Sequence, residues 1–194
     1  LAAQLLTEGD ASPADVFFAA SEAYVRQLSA ERLTIGATQR LYARGRIATV
    51  TLKSAGVRVG VLGDLARSEV RRVAIANPLH APYGVAARQA LEAAGVWKDV
   101  EGKLVYGENV QQAVQFVRSG SADAGIVARS VAGTPDLNWT LVDERLHAPL
   151  DQVAVVLART TQRAPSTAFI EYVNSAHGRL VMRQFGFLLP AESF

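Results

Sequence analysis

The sequence predicts an α/β protein in which strands and helices alternate around mostly parallel sheets. Short apolar runs of strand length recur along the chain. Most of them are followed, after a turn, by a stretch with an apolar residue at every third or fourth position, which is the pattern of a helix. Hydrophobic residues make up 49% of the 194 residues and charged residues 20%, which is typical of a packed globular protein. The length allows one large domain or two small ones.

The first residues have a helical pattern. Leu1 and Leu5 stand four positions apart, the spacing of one face of an amphipathic helix. We expect from this pattern that the chain begins inside a domain whose first elements lie upstream of residue 1. A cleaved leader that leaves residue 1 as the mature start is the alternative.

The next elements form a strand, a helix and a second strand. Residues 15–20 are a short apolar run and predict a buried strand. Ser21 is suited to cap a helix over 21–28, because its hydroxyl can accept a hydrogen bond from the first turn. Residues 47–52 alternate and are rich in β-branched side chains, which favours a strand.

The two clearest helices lie in the middle of the chain. Apolar residues at helical spacing predict helices over 82–94 and 109–119, which Gly95 and Gly120 end. The other predicted elements are a short helix over 64–70, strands over 72–76, 124–128 and 153–158, and a last helix over 166–185 with a break near His177 and Gly178, ended by Gly186.

Composition and motifs exclude several function classes. The net charge is only +2 and the basic residues are scattered, so we expect no nucleic-acid partner. No cysteine is present, which rules out disulfides and thiolate metal sites. His80, His147 and His177 have no metal-ligand spacing, and no nucleotide-binding or nucleophile motif occurs. We therefore expect no enzyme, no metal site and no cofactor.

Two strand-to-helix turns are the most informative features. In the first, a buried strand enters a loop with two prolines; Pro82 then suits the first helical turn, and Gly84 lets another group approach the backbone. The second turn, Gly107-Glu108-Asn109-Val110, opens the next helix. Helix starts offer backbone N–H donors and a positive dipole end, which suit an anion. Ordinary helix caps without a ligand are the alternative.

The first of these turns carries a resemblance to a known family. Ala76-Asn77-Pro78-Leu79-His80-Ala81-Pro82-Tyr83-Gly84 resembles the N-P-x-x-x-P-Y-G turn of the periplasmic molybdate-binding proteins of ABC transporters. Further segments of the chain resemble the family and stand in the family's order: Ser12-Pro13-Ala14-Asp15-Val16-Phe17, Gly107-Glu108-Asn109-Val110, Ala122-Asp123-Ala124-Gly125-Ile126-Val127 and, at the end, Gln184-Phe185-Gly186-Phe187. The resemblance covers essentially the whole chain.

The resemblance implies a two-lobed type II periplasmic-binding-protein fold with mixed sheets flanked by helices. The first lobe would be discontinuous, comprising 1–45 and 151–194, and would lack its N-terminal elements. The second lobe would span 46–150. The two chain crossovers between the lobes would form the hinge.

The resemblance also implies a ligand and a site. An oxyanion, molybdate or tungstate, would be held between the lobes by N–H groups and hydroxyls without a neutralising cation, so that molybdenum enters only as part of the oxyanion. The family's amide donors fall on Tyr83 and Val110, with Asn109 and Pro82 as further candidate contacts. The family's tyrosine position falls on Ala128. Its two serines would lie upstream of residue 1.

The implied partners are the oxyanion and the membrane permease of an ABC transporter, in the periplasm, and we expect a monomer. Two alternatives remain open at this stage. One is the ligand-sensing domain of a LysR-type transcription regulator, which has the same two-lobed design but follows a helix-turn-helix. The other is a carrier of sulfate or a similar oxyanion.

Overall fold

A computed structural model describes residues 1–190 and divides the chain into two compact units. One unit joins Leu1–Arg44 to the chain from Asp151 onward, and the other is Gly45–Leu150. Within residues 1–190, no helix combines the length and the apolar character that a membrane span requires.

Strands and helices alternate along both units. The strands are β1 (Val16–Ala19), β2 (Arg40–Gly45), β3 (Ile47–Leu52), β4 (Val73–Ala76), β5 (Leu104–Gly107), β6 (Ala124–Ala128), β7 (Leu137–Leu141) and β8 (Leu150–Val156). The α-helices are α1 (Ala2–Glu8), α2 (Glu22–Ala30), α3 (Pro82–Ala93), α4 (Trp97–Val100), α5 (Val110–Arg118), α6 (Arg129–Ala132), α7 (Arg163–Val173) and α8 (Ala176–Gln184).

The discontinuous unit is built on a three-stranded sheet in the order β1-β8-β2, with β1 antiparallel to β8. Alternation along β8 sends successive side chains to opposite faces. Val153 and Val155 pack with Leu28 of α2, while Ala154 and Val156 pack with Ile170 of α7. Helices therefore cover both faces of this sheet.

The continuous unit is built on a five-stranded sheet in the order β5-β4-β6-β3-β7. β4 is parallel to both β5 and β6, whereas β3 is antiparallel to β6 and β7. One face packs on α3 through Ala87, Ala90 and Leu91. The other packs on α5 through its buried Ala113 and Val117. β4 and β6, which are parallel to each other, carry only apolar residues and are buried along their whole length, as is typical of parallel strands covered on both faces.

Most elements predicted from local pattern are confirmed. The helices over 82–94 and 109–119 and the strands over 47–52 and 124–128 agree with α3, α5, β3 and β6 to within a residue. The Ser21 hydroxyl accepts a hydrogen bond from the N–H of Ala23 and so caps α2. Gly95, Gly120 and Gly186 all take positive φ at the ends of helices, as predicted.

Two helix predictions are wrong in detail. The short helix over 64–70 is a 3₁₀ turn, Leu62–Ala66, because the Asp64 carboxylate accepts the N–H groups of Gly60 and Val61 and fixes a turn that begins before it. The last helix is two helices, α7 and α8. They part at Asn174, earlier than predicted, because the Ser175 hydroxyl caps α8 by accepting the N–H of Gly178.

The sheets also differ from the local prediction. Mostly parallel sheets are wrong, since β3 runs antiparallel to both neighbours; the mixed sheets that the resemblance implied are confirmed. The strand over 153–158 begins earlier, at Leu150, and ends at Val156. The local pattern missed β2, β5 and β7.

Candidate functional site

The two strand-to-helix turns meet at one edge of the five-stranded sheet. β4 and β5 are adjacent and parallel, and their last residues, Ala76 and Gly107, lie opposite each other. The N–H of Asn77 extends this ladder by donating to the carbonyl of Gly107 at 2.7 Å. α3 and α5 therefore both begin just beyond the carboxyl ends of neighbouring strands, the place where open α/β sheets bind ligands.

The loop between β4 and α3 is held by Asn77. Its side-chain oxygen accepts the N–H of Leu79 at 3.0 Å, and its carbonyl accepts the N–H of Ala81 at 2.9 Å. Pro82 is the first residue of α3 and Tyr83 the second. The hydrogen bonds of α3 begin at Gly84 and Val85, whose N–H groups donate to the carbonyl of Ala81. The backbone N–H of Tyr83 therefore lies in the first turn, before the regular helical hydrogen bonds begin.

Gly84 places α3 directly against the end of β4. A Cβ at this position would lie 2.1 Å from the carbonyl oxygen of Ala76 and 2.9 Å from the carbonyl carbon of Asn77. The predicted role of Gly84 is confirmed, and the group that approaches it is the backbone of the preceding strand. The start of α3 is thereby fixed on the sheet edge.

The second turn is capped by Asn109. Its side-chain oxygen accepts the N–H of Gln112 at 3.0 Å and its carbonyl accepts the N–H of Ala113 at 3.2 Å. The Gln112 side chain in turn accepts the N–H of Glu108 at 2.6 Å. The N–H of Val110, the first residue of α5, has no hydrogen-bond partner among residues 1–190. This turn therefore presents a fixed donor at the sheet edge.

Gly107 makes the second close approach of the site. A Cβ on it would lie 2.9 Å from the amide nitrogen of Ala113, so the end of β5 rests directly on the first turn of α5. The start of α5, like that of α3, is set by contact between backbones.

A histidine side chain joins the two loops. Nε2 of His80 lies 3.2 Å from the carbonyl oxygen of Glu108. A carbonyl can only accept a hydrogen bond, so Nε2 carries the hydrogen. His80 precedes α3 by two residues and Glu108 precedes α5 by two residues, and the bond therefore runs directly between the two helix starts.

The third strand of this edge ends without a polar group. β6 is parallel to β4 and ends at Ala128, the position where the resemblance placed a tyrosine. Ala128 is buried and offers no hydroxyl.

Arg129, which follows Ala128, is a cation at the same edge to which the sequence analysis gave no role. Its guanidinium stacks over the ring of Trp139 at 3.9 Å. Burial lowers its pKa, and the neighbouring charge of Arg46 lowers it further. Trp139 belongs to β7, so this guanidinium is directed toward the strand at the opposite side of the sheet from β5. The polar groups described at the starts of α3 and α5 are uncharged.

The structure places the four predicted contact residues at the starts of two helices that follow adjacent strands. Pro82 and Tyr83 open α3, and Asn109 and Val110 open α5, at adjacent strand ends. Sequence reasoning missed Gln112, although an Asn cap followed three residues later by Gln is a known helix-start pattern. Among residues 1–190, histidine and acidic side chains form no group of three or more that could hold a metal ion.

Comparisons with known proteins identify the family of this chain. The profile of a family described as bacterial extracellular solute-binding protein matches residues 1–188. The chain is 29% identical over 184 residues to the molybdate-binding protein ModA of Rhodobacter capsulatus, covering 94% of this chain and 71% of that protein. It is 30% identical over 185 residues to the ModA of Azotobacter vinelandii, covering 91% and 71%. The solved structure of the Azotobacter vinelandii periplasmic molybdate-binding protein superposes with a TM-score of 0.87 at 27% identity, covering 97% of this chain and 83% of that one.

Proposed function

The chain belongs to the family of bacterial extracellular solute-binding proteins and is a ModA-type solute-binding component of an ABC transporter, and on that premise we propose that its solute is molybdate. One observation carries the proposal. Two helices begin side by side at the carboxyl ends of adjacent parallel strands, in a chain about 30% identical to a molybdate-binding protein.

The donors suit a fully ionised tetrahedral oxyanion. The backbone N–H groups of Tyr83 and Val110 would each donate to a ligand oxygen, and the positive ends of the α3 and α5 dipoles would favour its charge. Asn109 caps α5 and orients Val110, and Pro82 fixes the backbone that precedes Tyr83. The Tyr83 hydroxyl would supply the side-chain donor that Ala128 cannot.

A site made only of donors discriminates by protonation and by size. An oxyanion that keeps a proton would point an O–H at another donor, and a buried unmade hydrogen bond is costly. Molybdate carries no proton at neutral pH, and neither does tungstate, which is the second ligand we propose. Sulfate carries none either but is smaller, so a donor set fixed by backbone contacts would fit it less well.

The biological role follows from the family. We propose that the protein acts in the periplasm as a monomer and passes its oxyanion to a membrane permease, with no chemical conversion and no cofactor. We also propose that the two units are the two lobes of the type II fold. The named relatives are transport proteins, which favours this role over a regulator's sensing domain.

The sharpest test deletes one N–H donor without disturbing the backbone. Val110→Pro removes the N–H at the first position of α5, where proline is well tolerated. Asn109 is already extended, with φ −152° and ψ 176°, the conformation that a residue before proline prefers. Val110→Ala is the matched control, because it shortens the same side chain and keeps the N–H.

Isothermal titration calorimetry with molybdate would measure the effect. A hydrogen bond to a charged group contributes about 1.5–3 kcal/mol, so Val110→Pro should bind molybdate about ten- to a hundredfold more weakly than Val110→Ala. Equal affinity in the two variants would contradict the proposed role of this N–H.

Titration of the unsubstituted protein with molybdate, tungstate and sulfate tests the ligand itself. At a molybdate concentration of about 100 times Kd, binding should stabilise the protein by about 2.7 kcal/mol, which raises the Tm of a protein of this size by about 5–11 °C. Sulfate binding as tight as molybdate binding would instead support the sulfate-type carrier.

A further inference from the structure

The hydrogen bond between His80 and Glu108 has a consequence for selectivity. We infer that His80 is a positioning residue: it ties together the loops that precede α3 and α5 and thereby favours molybdate over the smaller sulfate. This inference rests on the proposed function, because it concerns the selectivity of that same site.

The bond closes a ring that spans both loops. The N–H of Asn77 donates to the carbonyl of Gly107 at 2.7 Å, and the N–H of His80 donates to the carbonyl of Asn77 at 3.3 Å. Nε2 of His80 then reaches the carbonyl of Glu108, the residue bonded to Gly107. The Asn77 contact continues the β4–β5 ladder. The contact through His80 adds a second restraint between the two loops beyond the strand ends.

The Glu108 end of the ring is held from both sides. Its carbonyl accepts from His80, and its N–H donates to the Gln112 side chain at 2.6 Å. The peptide groups on either side of Glu108 are therefore both oriented by side chains. Val110 follows two residues later, so the direction of its N–H depends on this arrangement.

A fixed separation affects molybdate and sulfate differently. While the ring is closed, two donors spaced for the larger ion cannot draw together around the smaller one. Without the His80 bond, the loops that carry the two donors are less restrained, so the donors can adjust to sulfate. Molybdate binding then costs more, since the loops must be ordered at the moment of binding. The ratio of molybdate affinity to sulfate affinity reports this change in selectivity. A general loss of stability would leave that ratio unchanged.

His80 is suited to a clean test because it lies outside both cores. Its side chain is exposed, and so is its neighbour Leu79. His80→Ala removes the bond, whereas His80→Gln keeps an N–H donor at a similar reach. Leu79→Ala is the matched control, because it truncates an exposed side chain in the same loop that takes no part in the ring.

The experiment measures molybdate and sulfate affinities by calorimetry for the unsubstituted protein and the three variants, with Tm as a check on folding. His80→Ala should lower the ratio of molybdate to sulfate affinity by about tenfold, the effect of about one hydrogen bond. His80→Gln should keep the ratio within about threefold of the original value, and Leu79→Ala should leave it unchanged. Gln112→Leu, which releases Glu108 from its other side, should lower the ratio as well.

The possible failures can be told apart. If the unsubstituted protein binds molybdate and His80→Ala keeps its selectivity, or loses affinity for both anions equally, the inference is wrong and the proposed function stands. If the unsubstituted protein binds no molybdate, both are wrong. If His80→Ala fails to fold, an unchanged ratio in Gln112→Leu overturns the inference and a lowered ratio supports it.

Discussion

Gly84→Ala should destabilise the protein, because the added methyl group would collide with backbone. The new Cβ would lie 2.1 Å from the carbonyl oxygen of Ala76 and 2.8 Å from its carbonyl carbon. Neither atom belongs to a flexible side chain that could turn aside. α3 must move away from β4, or β4 must bend.

The size of the effect follows from the geometry. Unstrained heavy-atom contacts lie near 3.5 Å and the new Cβ would lie 2.1 Å from the oxygen of Ala76, so the first turn of α3 must shift by about 1.4 Å. Overpacking of a tight site costs about 1–3 kcal/mol, and a backbone obstacle places this case at the upper end. The better helix propensity of alanine offsets about 1 kcal/mol of that cost. The net loss of about 2 kcal/mol corresponds to a fall in Tm of about 4–8 °C.

Thermal unfolding followed by circular dichroism would measure this loss, with Gly102→Ala as the matched control. A Cβ on Gly102 would meet no atom within 4 Å, and the residue does not have a positive φ. Its Tm should therefore stay within about 2 °C of the original value, as for most surface substitutions. Equal Tm values for the two variants would refute the claim that α3 is seated on the backbone of β4.

Two further predictions concern the cap of α5 and the acid range. Asn109→Ala removes the acceptor for the N–H of Gln112 and should cost about 1 kcal/mol of unfolding free energy in urea titrations, while Asn109→Ser keeps most of it; equal losses would exclude a capping role. Hydrogen bonds from the side chain and the N–H of Arg145 lower the pKa of Asp143 from 3.8 to about 2. The stabilisation by Asp143 is therefore present above about pH 4 and lost as the pH falls toward 2. Asp143→Asn should flatten the fall of Tm between pH 4 and 2, and an unchanged slope would contradict this.

Helices with a strong local pattern were predictable from the sequence alone. Ala87, Ala90 and Leu91 stand at helical spacing, and all three are fully buried in α3. Gly95 ends this helix with a φ of +72°, which only glycine adopts easily. Pattern and stop signal lie within a few residues of each other, so no knowledge of the rest of the fold was needed.

Edge strands were not predictable in this way. β5 and β7 each pair with one neighbour in the sheet, and each carries exposed aromatic residues, Tyr106 and Trp139. A strand at an edge is held by hydrogen bonds to a distant segment and buries less apolar surface than a central one. Its sequence therefore shows a weak alternation, and its existence depends on pairing that local rules do not contain.

The candidate site was predictable in its parts and not in its assembly. Pro82 and Asn109 mark helix starts by rules that concern a few residues. That these starts lie side by side depends on the pairing of β4 with β5, whose aligned ends Ala76 and Gly107 are far apart in the chain. Spacing does not contain this pairing, and the resemblance implied only that the two helix starts serve one oxyanion. No pattern singled out His80, because its contact with the carbonyl of Glu108 depends on that same pairing.

Stability and selectivity should be linked at two positions of this site and separable at a third. Gly84 and Gly107 each bring a helix start into contact with backbone at the sheet edge. A side chain at either position would strain the fold and would at the same time displace the N–H groups at that helix start. His80 is exposed and contributes to neither core. We therefore expect substitution of His80 to change the proposed oxyanion preference at little cost in stability.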